Sequence, residues 1–210
     1  MKRTIPVSPI LADLIGSALA SMDGVRFTDL DACPSCGGPV AGHDLRAKRF
    51  AVVLDQGRVR TIRVYVKRFY CQDCGRLCYA EAPFYPGTRL GSPIVDLCHI
   101  LSKQMPFNRA AEHLRAIGIV VDRGTIRNYA SLDVGPVPAA ELFGFPLPLS
   151  LLNLSISAIG HERGSIVGAE VLAACGFPPA DGAALRGGRS PEEWDQRYEE
   201  KEEEERKAER

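Results

Sequence analysis

The chain has 210 residues, 45% of them hydrophobic and 25% charged, which is typical of a folded globular protein and excludes a mainly disordered one. No apolar run reaches the roughly 18–20 residues of a membrane span, and Asp13 interrupts the apolar stretch near the start, which disfavours a signal peptide. The formal net charge is zero, but residues 33–130 carry 15 Lys and Arg against 7 Asp and Glu, while residues 191–210 carry 5 against 10. A basic middle indicates a polyanionic partner. We expect a cytoplasmic protein without membrane contact.

The first predicted element is a short helix over residues 8–21, within an N-terminal segment 1–30. Ser8 suits the N-cap position and Pro9 the first helical position. Apolar side chains recur at helical spacing at Leu11, Leu14, Ile15, Ala18 and Leu19. The pattern predicts a small packing helix.

Two Cys-x-x-Cys pairs follow, Cys33 with Cys36 and Cys71 with Cys74. Each pair delivers two sulfur ligands from one tight turn, and four thiolates complete the tetrahedral shell of a structural zinc ion. The alternative, a redox pair, requires a thioredoxin-like βαβ context that is missing here. Cys78 is close enough in sequence to compete as a ligand but breaks the two-residue spacing. We therefore predict structural Zn²⁺ on Cys33, Cys36, Cys71 and Cys74.

Residues 31–90 are predicted to form a zinc ribbon around this metal. Residues 50–55 and 58–70 form two strands, joined by a turn at Gln56 and Gly57. The second strand alternates between an apolar face, Ile62, Val64 and Val66, and a polar face, Arg63, Tyr65 and Lys67. Arg63, Lys67 and Arg68 are expected to contact the phosphates of double-stranded DNA.

Residues 91–133 are predicted to hold three short helices, over about 92–103, 107–117 and 122–132. The second and third fit a helix-turn-helix, a motif that inserts its last helix into the major groove. The exposed positions of that last helix are expected to contact DNA at Arg123, Thr125, Arg127 and Asn128.

The C-terminal part is predicted to contain a linker over 134–148 and a small β-hairpin region over 149–190. Within that region, strands are expected over 149–159 and 165–172, and residues 191–210 form a charged helix or tail. These parts are candidates for self-association or for contact with a protein partner. The predicted class is α+β, with a zinc ribbon, a three-helix module, a C-terminal hairpin and a charged helix.

Several of these motifs occur in an order that resembles a known family. They are the run Cys33-Pro-Ser-Cys36-Gly-Gly, the run from Val66 to Gly75, Ser92-Pro-Ile-Val, Pro106-Phe-Asn-Arg-Ala-Ala-Glu-His-Leu, and the run from Gly118 to Tyr129. Residues 33–130 resemble the zinc-ribbon and helical region of bacterial insertion-sequence transposases of the insertion-sequence-sixty-six type. The resemblance implies binding to the terminal DNA of the element, ahead of an RNase H-like catalytic domain. It also makes a transposase a candidate partner of the C-terminal region.

That catalytic domain needs two or three carboxylates that hold metal ions. The candidate strand over 151–159 contains no Asp or Glu, and the 80 residues after Ala130 are too few for the domain. We therefore expect a protein that binds DNA without cutting it, and not an enzyme. Two alternatives remain open: a transcription regulator with the same domains, and a zinc-ribbon module that binds protein.

Overall fold

In the computed structural model, which describes residues 7–160 and 166–177, helices and strands form a mixed α+β structure. The first part contains α1 (Pro9–Ser21), β1 (Arg26–Phe27), β2 (Val40–Asp55), β3 (Arg58–Cys71) and β4 (Leu77–Tyr79). The middle part contains α2 (Ser92–Gln104), α3 (Phe107–Ala116) and α4 (Arg123–Ala130). The last part contains β5 (Ala139–Leu142), β6 (Phe145–Pro148), α5 (Leu149–Gly160) and α6 (Gly168–Ala174). The predicted α+β class is confirmed.

The main sheet is built on a long antiparallel hairpin of β2 and β3. Its strands meet at the predicted two-residue turn, where Gln56 and Gly57 both have positive φ (49° and 80°), as in the hairpin turns that match the twist of the strands. β1 pairs parallel with β3 on the edge away from β2, and β4 pairs antiparallel with the last residues of β3. The strand β2 begins at Val40, ten residues before its predicted start, because its first half pairs with the cysteine-bearing end of β3.

A β-bulge at Phe50 joins this sheet to the helices. The pairing shifts by one residue between Arg49 and Ala51, so that Phe50 and Ala51 are both fully buried. The Phe50 carbonyl accepts a hydrogen bond from the Gly91 amide at 2.8 Å, and its ring packs edge-on against Phe84. The bulge therefore fixes the start of α2 against the sheet.

The three helices α2, α3 and α4 lie where the sequence predicts them. Gly118 has a φ of 84° just after α3, and the carboxylate of Asp122 caps α4 by accepting from the Thr125 amide at 2.9 Å. The helices share a fully apolar core, formed by Ile94, Leu97, Leu101, Ala110, Leu114, Ile117 and Ile126.

The turn between α3 and α4 is joined to β2 by backbone hydrogen bonds. The Leu54 amide donates to the Gly118 carbonyl and the Val120 amide donates to the Val52 carbonyl, each at 2.8 Å. Between them, Val53 and the buried Ile119 form an isolated antiparallel bridge. The turn thus continues the sheet by one short strand, next to the tip of the hairpin.

The C-terminal predictions over 134–172 are wrong. The supposed linker contains the hairpin of β5 and β6, and the two supposed strands are the helices α5 and α6. A continuous apolar run such as 149–159 fits a buried strand and a buried helix equally well from periodicity. Packing decides for the helix, because Leu151 and Leu154, one turn apart, are both fully buried where α5 packs against α1. Residues 161–164, between the two expected strands, and the charged segment 191–210 lie outside the described residues.

The helix α5 contacts both the N-terminal helix α1 and the central helix α2. The N-terminal helix α1 lies at its predicted position and packs on α5. The buried carboxylate of Asp96 on α2 accepts hydrogen bonds from Tyr85 Oη at 2.7 Å and from Ser150 Oγ, at the start of α5, at 2.6 Å. The buried apolar residues from α1 to α6 form one continuous core. Within the described ranges, no helix is both long enough and apolar enough to span a membrane.

Candidate metal centre and basic surfaces

The four predicted cysteines come together at one end of the hairpin. Their sulfur atoms all lie within 4.8 Å of one another. Cys33 Sγ is 3.7 Å from Cys74 Sγ, and Cys36 Sγ is 3.4 Å from Cys71 Sγ. Cys71 ends β3 and pairs with Val40 at the start of β2. The first Cys-x-x-Cys turn, called the first knuckle, therefore precedes β2, and the second knuckle follows β3.

Both knuckles use the same turn. The Gly37 amide donates to the Cys33 carbonyl at 2.8 Å, and the Gly75 amide donates to the Cys71 carbonyl at 3.1 Å. Both glycines have positive φ, 74° and 69°, a conformation that residues with a side chain rarely adopt. The glycine after each Cys-x-x-Cys pair is therefore required by the turn that brings the two sulfurs together.

Backbone amides point at the sulfur atoms and favour the thiolate form that binds metal. The Ser35 amide donates to Cys33 Sγ at 3.4 Å, and this bond is the largest of the causes that lower the pKa of the Cys33 thiol to about 6. The Cys74 amide makes the matching bond to Cys71 Sγ at 3.5 Å. Four sulfur donors in mutual contact fit a tetrahedral metal ion, such as zinc or an iron–sulfur site.

A fifth cysteine lies beside this cluster. Cys78, on β4, is buried, and its sulfur is 3.6 Å from Cys33 Sγ and 3.6 Å from the Arg76 carbonyl, to which it donates. Across the described part of the chain, the four-cysteine cluster is the one group of three or more Cys, His, Asp or Glu side chains that lie close enough to share a metal. Cys78 is not a member of that group, although it touches one of its sulfurs.

The helix α4 has a buried side and an exposed side, and of its four predicted exposed positions Thr125 is the exception. Ile126 and Tyr129 are buried in the core, whereas Arg123, Arg127 and Asn128 are exposed. Thr125 is half-buried, and its hydroxyl donates to the Asp122 carboxylate, which lowers the pKa of that carboxyl. The three exposed side chains project from the face of α4 that lies away from α2 and α3.

The three basic residues predicted on β3 differ in their surroundings. Arg63 is exposed, and Lys67 is half-buried with its Nζ 5.2 Å from the centre of the Phe69 ring. Arg68 lies on the other face of the strand and donates from Nε and Nη2 to the two carboxylate oxygens of Asp44. This ion pair raises the pKa of Arg68 and leaves only 16% of its side chain exposed. The charge of Arg68 is thus already balanced within the hairpin.

Two further arginines join Arg63 and Lys67 on the exposed face of the sheet. Arg49 pairs directly with Arg63 across the hairpin, and Arg26 on β1 lies beside Tyr65. Neither residue was a candidate from the sequence, because the position of each depends on strand pairing. No local pattern marks them, since the apolar residues Leu45 and Ala47 share the exposed face with Arg49.

Comparison of the chain with family models, with curated proteins and with solved structures finds no match. The resemblance to insertion-sequence transposases therefore rests on the quoted motifs alone and stays a prediction.

Proposed function

We propose that this chain is a cytoplasmic zinc protein that binds double-stranded DNA through α4, as the DNA-recognition part of a transposase does, and binds the ends of a mobile element without cutting them. The observation that carries the proposal is the two-sided helix α4. One side is buried in the three-helix core, and the other exposes Arg123, Arg127 and Asn128.

The chemistry of that exposed side suits the major groove. The major groove is about 12 Å wide and admits an α-helix, whose diameter with side chains is about 10–12 Å. An arginine can bind O6 and N7 of guanine with two hydrogen bonds, and an asparagine can bind N6 and N7 of adenine. Arg127 and Asn128 are the proposed base-contacting residues, with Arg123 and Thr125 nearer the phosphates at the start of the helix.

The proposed role of zinc is structural. Bonds from the four thiolates join the start of β2 to the end of β3, in a part of the hairpin where most residues of β2 are exposed. Because few apolar contacts stabilise that end, metal binding supplies much of the folding free energy there. The zinc ion would also offset two of the four thiolate charges that otherwise repel DNA.

The hydrogen bonds between β2 and the turn at Gly118 and Val120 support joint use of both basic surfaces. They hold α4 in a fixed position relative to Arg63 and Lys67, so the two surfaces would contact one duplex as a rigid unit. In this arrangement Arg63 and Lys67 contact phosphates and carry no sequence information, while α4 selects the site.

The test is DNA binding by the zinc-loaded full chain, on a site obtained by selection and on a scrambled duplex, at several salt concentrations. Replacing Arg127 or Asn128 with Ala should cost about 1–3 kcal/mol of preference for the selected site and change binding to the scrambled duplex little. Replacing Arg63 and Lys67 together should weaken both complexes and lower the salt slope by about one unit for each lost contact.

Arg127→Lys is the matched control, since it keeps the charge and removes the planar guanidinium geometry. It should keep the salt slope of the wild type and lose only part of the site preference that Arg127→Ala loses. Equal losses on both duplexes for every variant would reject base reading by α4. Absence of any salt-dependent DNA binding would favour the protein-binding alternative, and metal-dependent strand cleavage by the pure protein would reject the non-cutting assignment. Terminal inverted repeats beside the gene separate a transposase-related protein from a transcription regulator.

A further inference from the structure

The helix α5 has one side fixed in the fold and one side that faces outward. Leu151 and Leu154 are fully buried where α5 packs against α1. On the flank, the Asn153 side chain donates to the Ala174 carbonyl of α6 at 3.4 Å. The helix is therefore preformed, and a partner that binds its outer side does not have to order it first.

The outer side carries an aliphatic stripe, defined here as Leu149, Leu152, Ile156 and Ile159. Ile156 and Ile159 are 68% and 72% exposed, Leu149 is 38% exposed, and Leu152 is half-buried. The whole helix contains no charged residue. The stripe exposes roughly 350 Å² of apolar surface, in the range of the largest patches on monomeric proteins, which are often functional.

The spacing of the stripe matches the pairing of two helices. Its side chains recur at intervals of three, four and three residues, the average period of 3.5 that keeps an apolar seam on a partner helix. The order of these intervals is the same in both directions along α5. Two antiparallel copies therefore set Leu149 opposite the partner's Ile159 and Leu152 opposite the partner's Ile156.

The exposures of the four side chains favour the antiparallel arrangement. The two leucines, in the first half of α5, are the recessed residues, and the two isoleucines, in the second half, protrude. In an antiparallel pair, each protruding isoleucine meets a recessed leucine, so the two surfaces are complementary along the whole stripe. A parallel pair would set isoleucine against isoleucine and hold the leucines apart.

Other occupants fit this surface less well. Residues 191–210 contain 15 charged side chains among 20, and residues 178–190 have Leu185 as their one large aliphatic residue. Helices that lie on membranes carry Lys or Arg beside their apolar side, whereas α5 has neither. A second copy of the stripe is uncharged, aliphatic and complementary in shape.

We propose that the aliphatic stripe of α5 binds the same stripe of a second copy of this chain, antiparallel and about a two-fold axis that passes between Leu152 and Ile156. Two stripes together bury roughly 700 Å², and the residues around them complete a small interface, so the dimer is weak and concentration-dependent. A two-fold dimer would present two copies of α4, as a DNA site with two-fold symmetry requires. The proposal goes beyond the proposed function and does not depend on DNA binding.

The test is the molar mass of the zinc-loaded full chain by sedimentation equilibrium, from about 1 to 300 µM. The wild type should change from one chain to two across this range. Ile156→Glu places a charge at the centre of the interface twice per dimer and should weaken association at least about tenfold. Ile156→Val keeps an aliphatic side chain and should still dimerise.

A matched control separates this surface from exposed apolar residues in general. Val59 is 62% exposed and lies near the tip of the β2–β3 hairpin. Val59→Glu should dimerise as the wild type does. Both glutamate variants should keep the urea midpoint of the monomeric wild type, because neither residue is buried in the core.

Crosslinking tests the antiparallel arrangement. In a chain that carries both Leu149→Cys and Ile159→Cys, oxidation should join position 149 of one copy to position 159 of the other, as identified by peptide mass spectrometry. A link within one chain is excluded, because the ten residues between these positions span about 15 Å of helix, too far for a disulfide. Ile159→Cys alone should give no link between two copies of position 159.

Three results would overturn the proposal. The first is a wild-type chain that stays monomeric throughout the range; its binding to phospholipid vesicles would then assign the stripe to a membrane surface. The second is dimerisation that Ile156→Glu does not weaken. The third is a link between two copies of position 159, which requires a parallel pair. Failure of the α4 variants to change duplex preference would reject the proposed function and leave the dimer intact.

Discussion

Gly91 lies where the bulged strand β2 meets the start of α2, and replacing it with Ala tests how closely the two are packed. A Cβ atom at Gly91 would lie 2.3 Å from Cε2 and 2.5 Å from Cδ2 of the Phe50 ring. Carbon atoms in contact are about 3.5–4.0 Å apart, so the ring would have to retreat by about 1 Å or more. The ring is fully buried and packs against Phe84, and the backbones are tied by the bond from the Gly91 amide to the Phe50 carbonyl.

The expected magnitude combines two opposing effects. Overpacking of a core typically costs about 1–3 kcal/mol. Gly91 has a φ of −58°, which Ala adopts without strain, so the loss of flexibility in the unfolded chain returns about 0.4–1 kcal/mol. Gly91→Ala should therefore lower the free energy of unfolding by about 1–2 kcal/mol. In urea, with a slope of about 2 kcal/mol per molar, the midpoint should fall by about 0.5–1 M.

Gly16 provides the matched control. It lies inside α1, and a Cβ atom there would meet no atom within 4 Å. Gly16→Ala should raise the free energy of unfolding by about 0.5–1 kcal/mol, because Ala is the better helix former. Both variants are compared in urea with zinc present. A Gly91→Ala protein as stable as the wild type would refute the packing described for Phe50, and a destabilised Gly16→Ala would refute the assignment of open space around α1.

The remaining predictions concern the metal and the buried carboxylate. Cys71→Ser should lose the bound metal and unfold the cysteine-bearing end of the hairpin, whereas Cys78→Ser, which leaves the four clustered thiols in place, should keep one metal ion per chain by elemental analysis. Equal metal loss in the two variants would show that Cys78 also binds the metal. Burial raises the pKa of Asp96, so the folded state holds the carboxyl proton more tightly than the unfolded state does. The contribution of this carboxyl to the free energy of unfolding therefore falls as pH rises from the unfolded pKa through the folded one. The stability of Asp96→Asn relative to wild type should therefore increase with pH above about 4, measured by urea unfolding with both proteins carrying the same metal. A difference that does not change with pH would contradict the raised pKa.

Much of the fold follows from local sequence signals. The helices α1 to α4 begin at N-cap or proline positions and show apolar residues at helical spacing, and the turn at Gln56 and Gly57 marks the hairpin. The first half of β2 gives no such signal, because its residues are mostly exposed and several are charged. Its strand conformation depends on pairing with β3. The strand prediction over 149–159 is wrong because the conformation of this run is set by packing against α1, a contact that no local pattern contains.

The candidate sites show the same division. Cys33, Cys36, Cys71 and Cys74 were predictable, since metal ligation imposes a spacing that is visible in the sequence. The pairing of Arg68 with Asp44 was not predictable. It depends on a bulge that sets His43 and Asp44 opposite Arg68, and a shift of one residue in that pairing would turn the side chains to the other face. The position of Arg49 opposite Arg63 likewise exists only in the observed register.

The hairpin also sets a distance. Val40, beside the cysteine cluster, pairs with Cys71, and Val53, which bridges to the turn before α4, pairs with Arg60, eleven residues away along β3. At about 3.3 Å per residue, the two ends are about 36 Å apart, close to the roughly 34–36 Å of one turn of B-form DNA. In the proposed complex with DNA, the cysteine cluster and α4, which lie at the two ends of the hairpin, therefore cannot contact neighbouring base pairs. On a straight duplex lying along the hairpin, they would meet the same side of the DNA one turn apart, so the length of β2 and β3 would act as a ruler for the size of the site.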